Sequence, residues 1–546
     1  MLIVLNNELN GPLDDAPNQQ RLRRILDQHF TPQRAALLNR AFHNFRVRAN
    51  GRYENDVFGS RYLIAMLIKE FNRNLQIERA DTTPDDEFNI LMAYFLVVDE
   101  VNKEDELRGI ALNAIPVDHL TPYRWAWTNN VNQFEYTDLP HPGMNIFKLL
   151  CLCKYAKEHY RPFLKEYLNS LGFNNLAEFM GSFVQLAMMV TKEFPEANFK
   201  KTTVIEVQEG VNPAHLDQQC INTLLGTKVF GLADLKQYPL YNLPGKGYCM
   251  MDRFLFLKKM FIGPFFELLY NTSMRTHFDP DPRRNFNPYS SIISTEVLEK
   301  LCFQGILKGM RKTKHDVLSF DEGDNSIPDG YFRNNKTIFL FEFKGYIFPA
   351  SLTLNPDFTA IKNYIDNRFV ANERGRAKGV GQLANQIALL QEGQYVFDPK
   401  FNATLLNKRY TIYPIICHTE YYFAMPGVND YLNDAFRSLV DPIAHPNVTI
   451  KDLAVVDLTT LLQLAIHGKG YSDLQELIDR YLHISTTRKK KYARTPMARD
   501  FYNKMAGFDE IYRTRTRYDL IDPKGGRDEK VAELLGIQDA EMLEII

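Results

Sequence analysis

Asp329, Glu342 and Lys344 are the residues whose types and spacing best suit chemistry. They fall within the stretch Ser326 to Tyr346, Asp329 directly after Pro328 and the other two on either side of Phe343. Side chains alternate along a strand, so Glu342 and Lys344 share one face while Phe343 takes the other. The run Thr337 to Phe343 is apolar on both faces apart from Thr337 and Glu342, which is the pattern of a central strand buried on both sides. A carboxylate and an ammonium ending such a strand are costly. They are tolerable where they hold a cation, or each other, and emerge at a cleft.

A hairpin is needed to bring Asp329 to them. Arg333-Asn334-Asn335-Lys336 supplies its turn, because two consecutive asparagines tolerate the left-handed backbone that a short primed turn requires.

Pro-Asp followed on the next strand by Glu-x-Lys resembles the PD-(D/E)xK nuclease superfamily, the restriction-endonuclease-like fold; here the motif reads Pro328-Asp329 and Glu342-Phe343-Lys344. The resemblance implies that Asp329 and Glu342 hold a divalent metal, Mg²⁺ with Mn²⁺ as a substitute. It implies that the backbone carbonyl of Phe343 adds a ligand and that Lys344 positions or activates water. Mg²⁺ prefers hard oxygen ligands, lowers the pKa of bound water and neutralises charge on a scissile phosphate. Members of the family draw a further Glu from a preceding helix. The helix expected from Ser294 to about Lys308 offers Glu299, inside the apolar stripe between Leu298 and Leu301, in preference to Glu296 in the first turn. Glu267 is a more distant option. A later helix often turns a Gln towards the site, and Gly379-Val380-Gly381-Gln382-Leu383 fits, with Gln386 one turn on.

The elements around these residues follow the same order: a helix, a first strand at 315–320, the hairpin, a helix within 371–391, and a strand at 409–417 rich in β formers. A strand and helix are expected within 453–466 and an amphipathic helix at 473–483. Residues 1 to about 285 read as helices with no phosphate loop, no His-Glu-x-x-His and no repeat. The Pro- and Asp-rich stretch 277–288 reads as a linker. The expected fold class is therefore α+β multidomain. A mostly α-helical recognition or regulatory region, 1–285, precedes a restriction-endonuclease-like α/β domain, 286–470, with a mixed central sheet flanked by helices. A short helical, basic region, 471–546, follows.

With 546 residues the chain exceeds one core, and its net charge of −1 gives no global sign of a nucleic-acid partner, so cationic surface must be local. The run Arg488, Lys489, Lys490, Lys491 is the candidate for phosphate contact. Arg513, Arg515 and Arg517 form a second short basic stretch. Six cysteines without zinc or disulfide spacing, and no basic-apolar leader or membrane span, point to a reduced cytoplasmic protein. The resemblance implies a metal-dependent endonuclease with nucleic acid as partner, DNA favoured over RNA, and no membrane or built-in nucleotide motor. The helical N-terminal region suits a homo-oligomer contact or a regulatory partner, as in a defence or mobile-element effector. The same fold also hosts nucleic-acid-binding proteins that no longer cut.

Overall fold

A computed structural model describes residues 16–43, 46–49, 53–56, 59–73, 84–137, 142–191, 204–207, 213–313, 316–321 and 327–491, apart from 355, 396, 405–407 and 444–445, together with 505, 507 and 508. The chain is mixed α/β and forms two compact units. One comprises Met1–Pro116, Tyr136–Leu139 and Tyr167–Phe266, and the other Val117–Glu135, Pro140–Glu166 and Glu267–Ile546. The units are interleaved along the chain, whereas the sequence reading has three consecutive regions, 1–285, 286–470 and 471–546.

The first unit gathers the helices Ala16–His29, Pro32–His43, Ser60–Arg73 and Pro84–Asn113 around one apolar core. It also contains strands that the helical reading omitted. Strand β1 (Arg46–Ala49) pairs with β2 (Tyr53–Asp56), and β3 (Val204–Ile205), β5 (Gly247–Met250) and β4 (Leu240–Leu243) make a small antiparallel sheet. Among the described residues no helix is long and apolar enough to cross a membrane.

The second unit is built on an open mixed sheet with helices on both sides. Strands β6 (Val317–Ser319), β7 (Gly330–Asn334) and β8 (Thr337–Lys344) run antiparallel, and β9 (Tyr410–His418) lies parallel to β8. On the far edge β10 (Val448–Ile450) and β11 (Ala454–Asp457) pair in parallel with successive parts of β9. The β7–β8 turn uses Asn335 at φ 49°, among the described residues the one non-glycine with positive φ. Beyond the expected Thr337, β8 is buried along its whole length.

The two faces of β8 carry different partners. Ile338 and Leu340 join the core beneath the helix Gly379–Gln391, with Val380, Leu383 and Ile387. Phe343, on the other face, stacks on Phe303 with ring centroids 4.9 Å apart. Phe303 belongs to a continuous helical column over 286–310, in which wide turns at Ile293–Phe303 separate the α-helices Phe286–Ile292 and Gln304–Met310. Its buried positions there, Ile293, Val297 with Leu298, then Cys302 with Phe303, step by four or five residues, which suits i→i+5 bonding rather than the 3.6-residue period expected. Leu301, assigned to the apolar side on the α-helical period, is accordingly only half-buried.

The stretch expected as a linker is instead a built turn. Asn285 is fully buried. Its Oδ1 accepts from Phe278 N at 2.7 Å and Asp279 N at 2.8 Å, and its Nδ2 donates to the carbonyls of Asp279 and Asp281 at 2.6 and 2.9 Å. One amide side chain thus satisfies four backbone groups ahead of the column. Asn285→Ala is expected to destabilise the protein by about 3 kcal/mol, read as a lower urea midpoint, because the buried groups lose their partners.

Candidate active site

Strand register carries Asp329 to Glu342. The last ladder pair of the hairpin is Gly330 with Phe341, so Asp329, one residue back, stands opposite Glu342, one residue on. Opposed residues on antiparallel strands share a face. Asp329 is tied there by its Oδ2, which accepts from the backbone N–H of Phe343 at 2.6 Å. Phe343, whose carbonyl was the expected extra ligand, therefore has its backbone beside this carboxylate. Gly330 is needed for the fit, since a Cβ at that position would come within 2.8 Å of Leu307 on the column.

Glu342 and Lys344 are both buried and bonded, Lys344 Nζ donating to Glu342 Oε1 at 2.6 Å. The ammonium also donates to Gln382 Oε1 at 3.2 Å, so the helix Gly379–Gln391 does turn Gln382 into the site. Gln386, one turn on, is instead bonded to Tyr395 OH at 2.7 Å. The column contributes Glu299, while Glu296 pairs with Lys300 at 2.8 Å. Glu267 lies on the helix Arg253–Tyr270.

The electrostatics describe an anionic cluster short of positive charge. Burial, opposed by Lys344 and reinforced by Asp329, pushes the Glu342 carboxyl up to about 8. Burial and then the charge of Asp329 push Glu299 up to about 7. Asp329 is raised by burial against the pull of Lys344 and the Phe343 N–H. Burial opposes the charge on Lys344, yet Glu342 and Asp329 outweigh it and raise its pKa, so the ammonium keeps its proton.

Several groups here escaped the sequence reading. Asp321, just after β6, adds to the negative field on both Glu299 and Asp329. The parallel ladder sets His418 beside Lys344 and Asp457 beside His418, at the C-terminal ends of three neighbouring strands. His418 is fully buried, its Nδ1 3.7 Å from Asp457 Oδ2, and burial lowers its pKa. Lys148, from the helix Pro142–His159, donates to the Thr419 carbonyl at 3.0 Å. No local motif marks them, because only the pairing of β8 with β9 and β11 brings them to this edge.

The donors suit a hard divalent cation: carboxylate oxygens, buried at Glu342 and half-buried at Asp329 and Glu299, whose ionised forms are held back by burial and then by neighbouring carboxylates. Among the described residues no three His, Cys, Asp or Glu side chains converge into a metal-holding group. Glu342 is engaged by the Lys344 ammonium and Asp329 by the Phe343 N–H.

The expected phosphate-binding run fares differently. The helix Tyr471–Lys491 extends beyond the expected 473–483 and takes in Arg488, Lys489, Lys490 and Lys491. Lys489 Nζ lies 2.6 Å from Oδ1 of the buried Asp430, so this lysine closes a structural pair. Arg513, Arg515 and Arg517 lie outside the described residues. No protein-family model, curated protein or solved structure matches this chain.

Proposed function

We propose that this protein is a metal-dependent phosphodiesterase of PD-(D/E)xK type that cuts nucleic acid, DNA in preference to RNA. The observation that carries this reading is the register that sets Asp329 opposite Glu342, with Lys344 and Gln382 bonded beside them and Glu299 within range of their charge. Asp329 and Glu342 would hold the cation, and Glu299 would add its negative charge beside them. The ion would supply an acidified water and neutralise charge on the phosphate. Lys344 keeps a proton beside the reacting oxygens, and Gln382 fixes the direction of its ammonium. His418, neutral and buried, adds no competing positive charge.

The pH dependence of stability tests the cation directly. Glu299 and Glu342 have folded pKa values of about 7 and about 8, above the unfolded value of about 4.3. Their protons stabilise the fold fully below the unfolded value, and that contribution is lost as pH rises through 7 to 8. A divalent ion replaces those protons. Mg²⁺ is therefore expected to raise the melting temperature more at pH 8 than at pH 5.5, and equal shifts would remove the ion from this site.

Lys344→Ala separates a catalytic ammonium from a structural counter-ion. As a catalytic group its loss lowers the cleavage rate by about a hundredfold or more while metal and substrate affinity persist. As a counter-ion alone, its loss lowers the melting temperature and leaves full activity per folded molecule. Cleavage of plasmid, linear and single-stranded DNA, and of structured RNA, with Mg²⁺ or Mn²⁺ against chelator tests the reading as a whole.

A further inference from the structure

We propose that residues 368–378 form a cationic rim that grips the phosphate backbone of the nucleic-acid strand next to the scissile diester. The proposal rests on the nuclease reading of the neighbouring site.

The segment is a built loop. It leaves the wide helical turn Asp366–Val370, closes through a bridge between Ala371 and Ala377, and returns into the helix Gly379–Gln391. Asn372 organises it from inside. Its Oδ1 accepts from the backbone N–H of Arg374 at 3.1 Å and of Arg376 at 2.9 Å, and Gly375 makes the reversal at φ 71°. The bonds that shape the loop thus come from backbone and Asn372, leaving the side chains of Arg374 and Arg376 out of its construction. Both arginines are exposed.

Both ends of the segment meet residues that neighbour Lys344. At the near end the guanidinium of exposed Arg368 sits over the ring of Tyr346, 4.5 Å from its centroid, and 5.4 Å from that of Tyr364. Tyr346 is two residues past Lys344 and acts on its charge. At the far end Lys378 precedes the helix by one residue, and its carbonyl accepts from Gln382 N at 3.2 Å, the residue whose side chain meets Lys344. The rim therefore borders the catalytic edge of the sheet.

Its charge is uncommitted. From 368 to 378 there are four basic residues, Arg368, Arg374, Arg376 and Lys378, and one acidic, Glu373. Elsewhere in this unit Lys362, Arg437, Lys451 and Lys489 each sit on a carboxylate. Among the described residues no carboxylate bridges Arg374, Arg376 or Lys378. Guanidinium groups match phosphate oxygens in geometry as well as charge, and a row of cations beside a phosphodiester site is what a polyanionic strand requires.

The test uses the full-length chain carrying Asp329→Asn, so that binding is read without cleavage. Arg374→Gln/Arg376→Gln is compared with that parent by fluorescence anisotropy on labelled duplex and single-stranded DNA over a salt series. Affinity is expected to fall at least about tenfold near 0.1 M salt, and the salt slope on duplex to shrink by about two units, one per lost phosphate contact. Arg374→Lys/Arg376→Lys restores most of the slope. Unchanged affinity and slope, with an unchanged melting temperature, overturn the proposal. In the wild-type background the same Gln pair should hydrolyse bis(p-nitrophenyl) phosphate at the parental rate, since that small diester does not span the rim. A wild-type protein inert towards this diester counts against the nuclease reading, while the anisotropy series still decides the rim.

Discussion

Asp329→Asn is expected to lower Mg²⁺-dependent cleavage by about a thousandfold or more without lowering the melting temperature. Asparagine keeps an oxygen where Asp329 Oδ2 now accepts the Phe343 N–H at 2.6 Å, so the hairpin retains its bond. What is lost is a negative charge that at present raises the carboxyls of both Glu299 and Glu342. Removing it relieves repulsion in the metal-free fold and deprives a cation of a ligand. The two effects have opposite signs on stability and on activity, which makes the variant diagnostic. Single-turnover cleavage and thermal melting with and without Mg²⁺ measure both. A variant that keeps a tenth or more of wild-type cleavage would falsify the ligand role of Asp329.

The largest stability effect is expected at Asp398. Its carboxylate receives Arg333 in a fork, Nε to Oδ2 at 2.5 Å and Nη2 to Oδ1 at 2.7 Å, together with Tyr331 OH at 2.8 Å and Phe401 N at 3.2 Å. Arg333 and Asp398 are both buried, and they tie β7 to the segment after the helix Gly379–Gln391. Asp398→Ala strands the guanidinium and the Tyr331 hydroxyl, at a cost of about 3 to 5 kcal/mol. In this chain that corresponds to a fall of roughly 5 °C in melting temperature. Arg333→Met/Asp398→Leu should cost clearly less than the single change, because no buried charge is left unpaired. Burial pushes the Asp398 carboxyl up, but the bonds from Arg333 and Tyr331 outweigh it and hold the group below the usual carboxylate range. Its contribution is thus present above the unfolded carboxylate pKa and lost as pH falls through the lower folded value. The gap between Asp398→Ala and wild type should narrow in acid, which melting curves at neutral pH and near pH 3 would show.

The hairpin was legible because its information is local: a strand apolar on both faces, a turn of asparagines, and charges placed beyond the last apolar residues. The helix Gly379–Gln391 and the strand β9 were likewise written in period and composition. The helix expected from Ser294 to about Lys308 lies within the longer column over 286–310, and its wide turns leave little mark in the sequence, since the periods of α- and π-type helices diverge by only about a residue per turn. Glu299 feels the charges of Asp329 and Lys344, whereas Glu296 pairs with Lys300. His418 and Asp457 were missed for another reason: their position depends on which strands lie side by side, and parallel pairing leaves no mark on adjacent residues. Asn285 shows the converse error. Pro, Asp and Asn are read as linker formers, yet the same polar side chains can satisfy a buried turn.

Interleaving of the two units sets the order in which the second one can fold. Tyr123 OH donates to Asp434 Oδ2, 311 positions later, and Trp127 is buried in a core completed by β9 and the helix Val428–Val440. During synthesis the segments 117–135 and 140–166 leave the ribosome long before the partners that cover them. Closing loops of this span is entropically expensive before any contact repays it. Renaturation from denaturant is therefore expected to be slow and sensitive to protein concentration. A fragment beginning at 286 leaves the sheet without the tryptophan that one side of its core was built around.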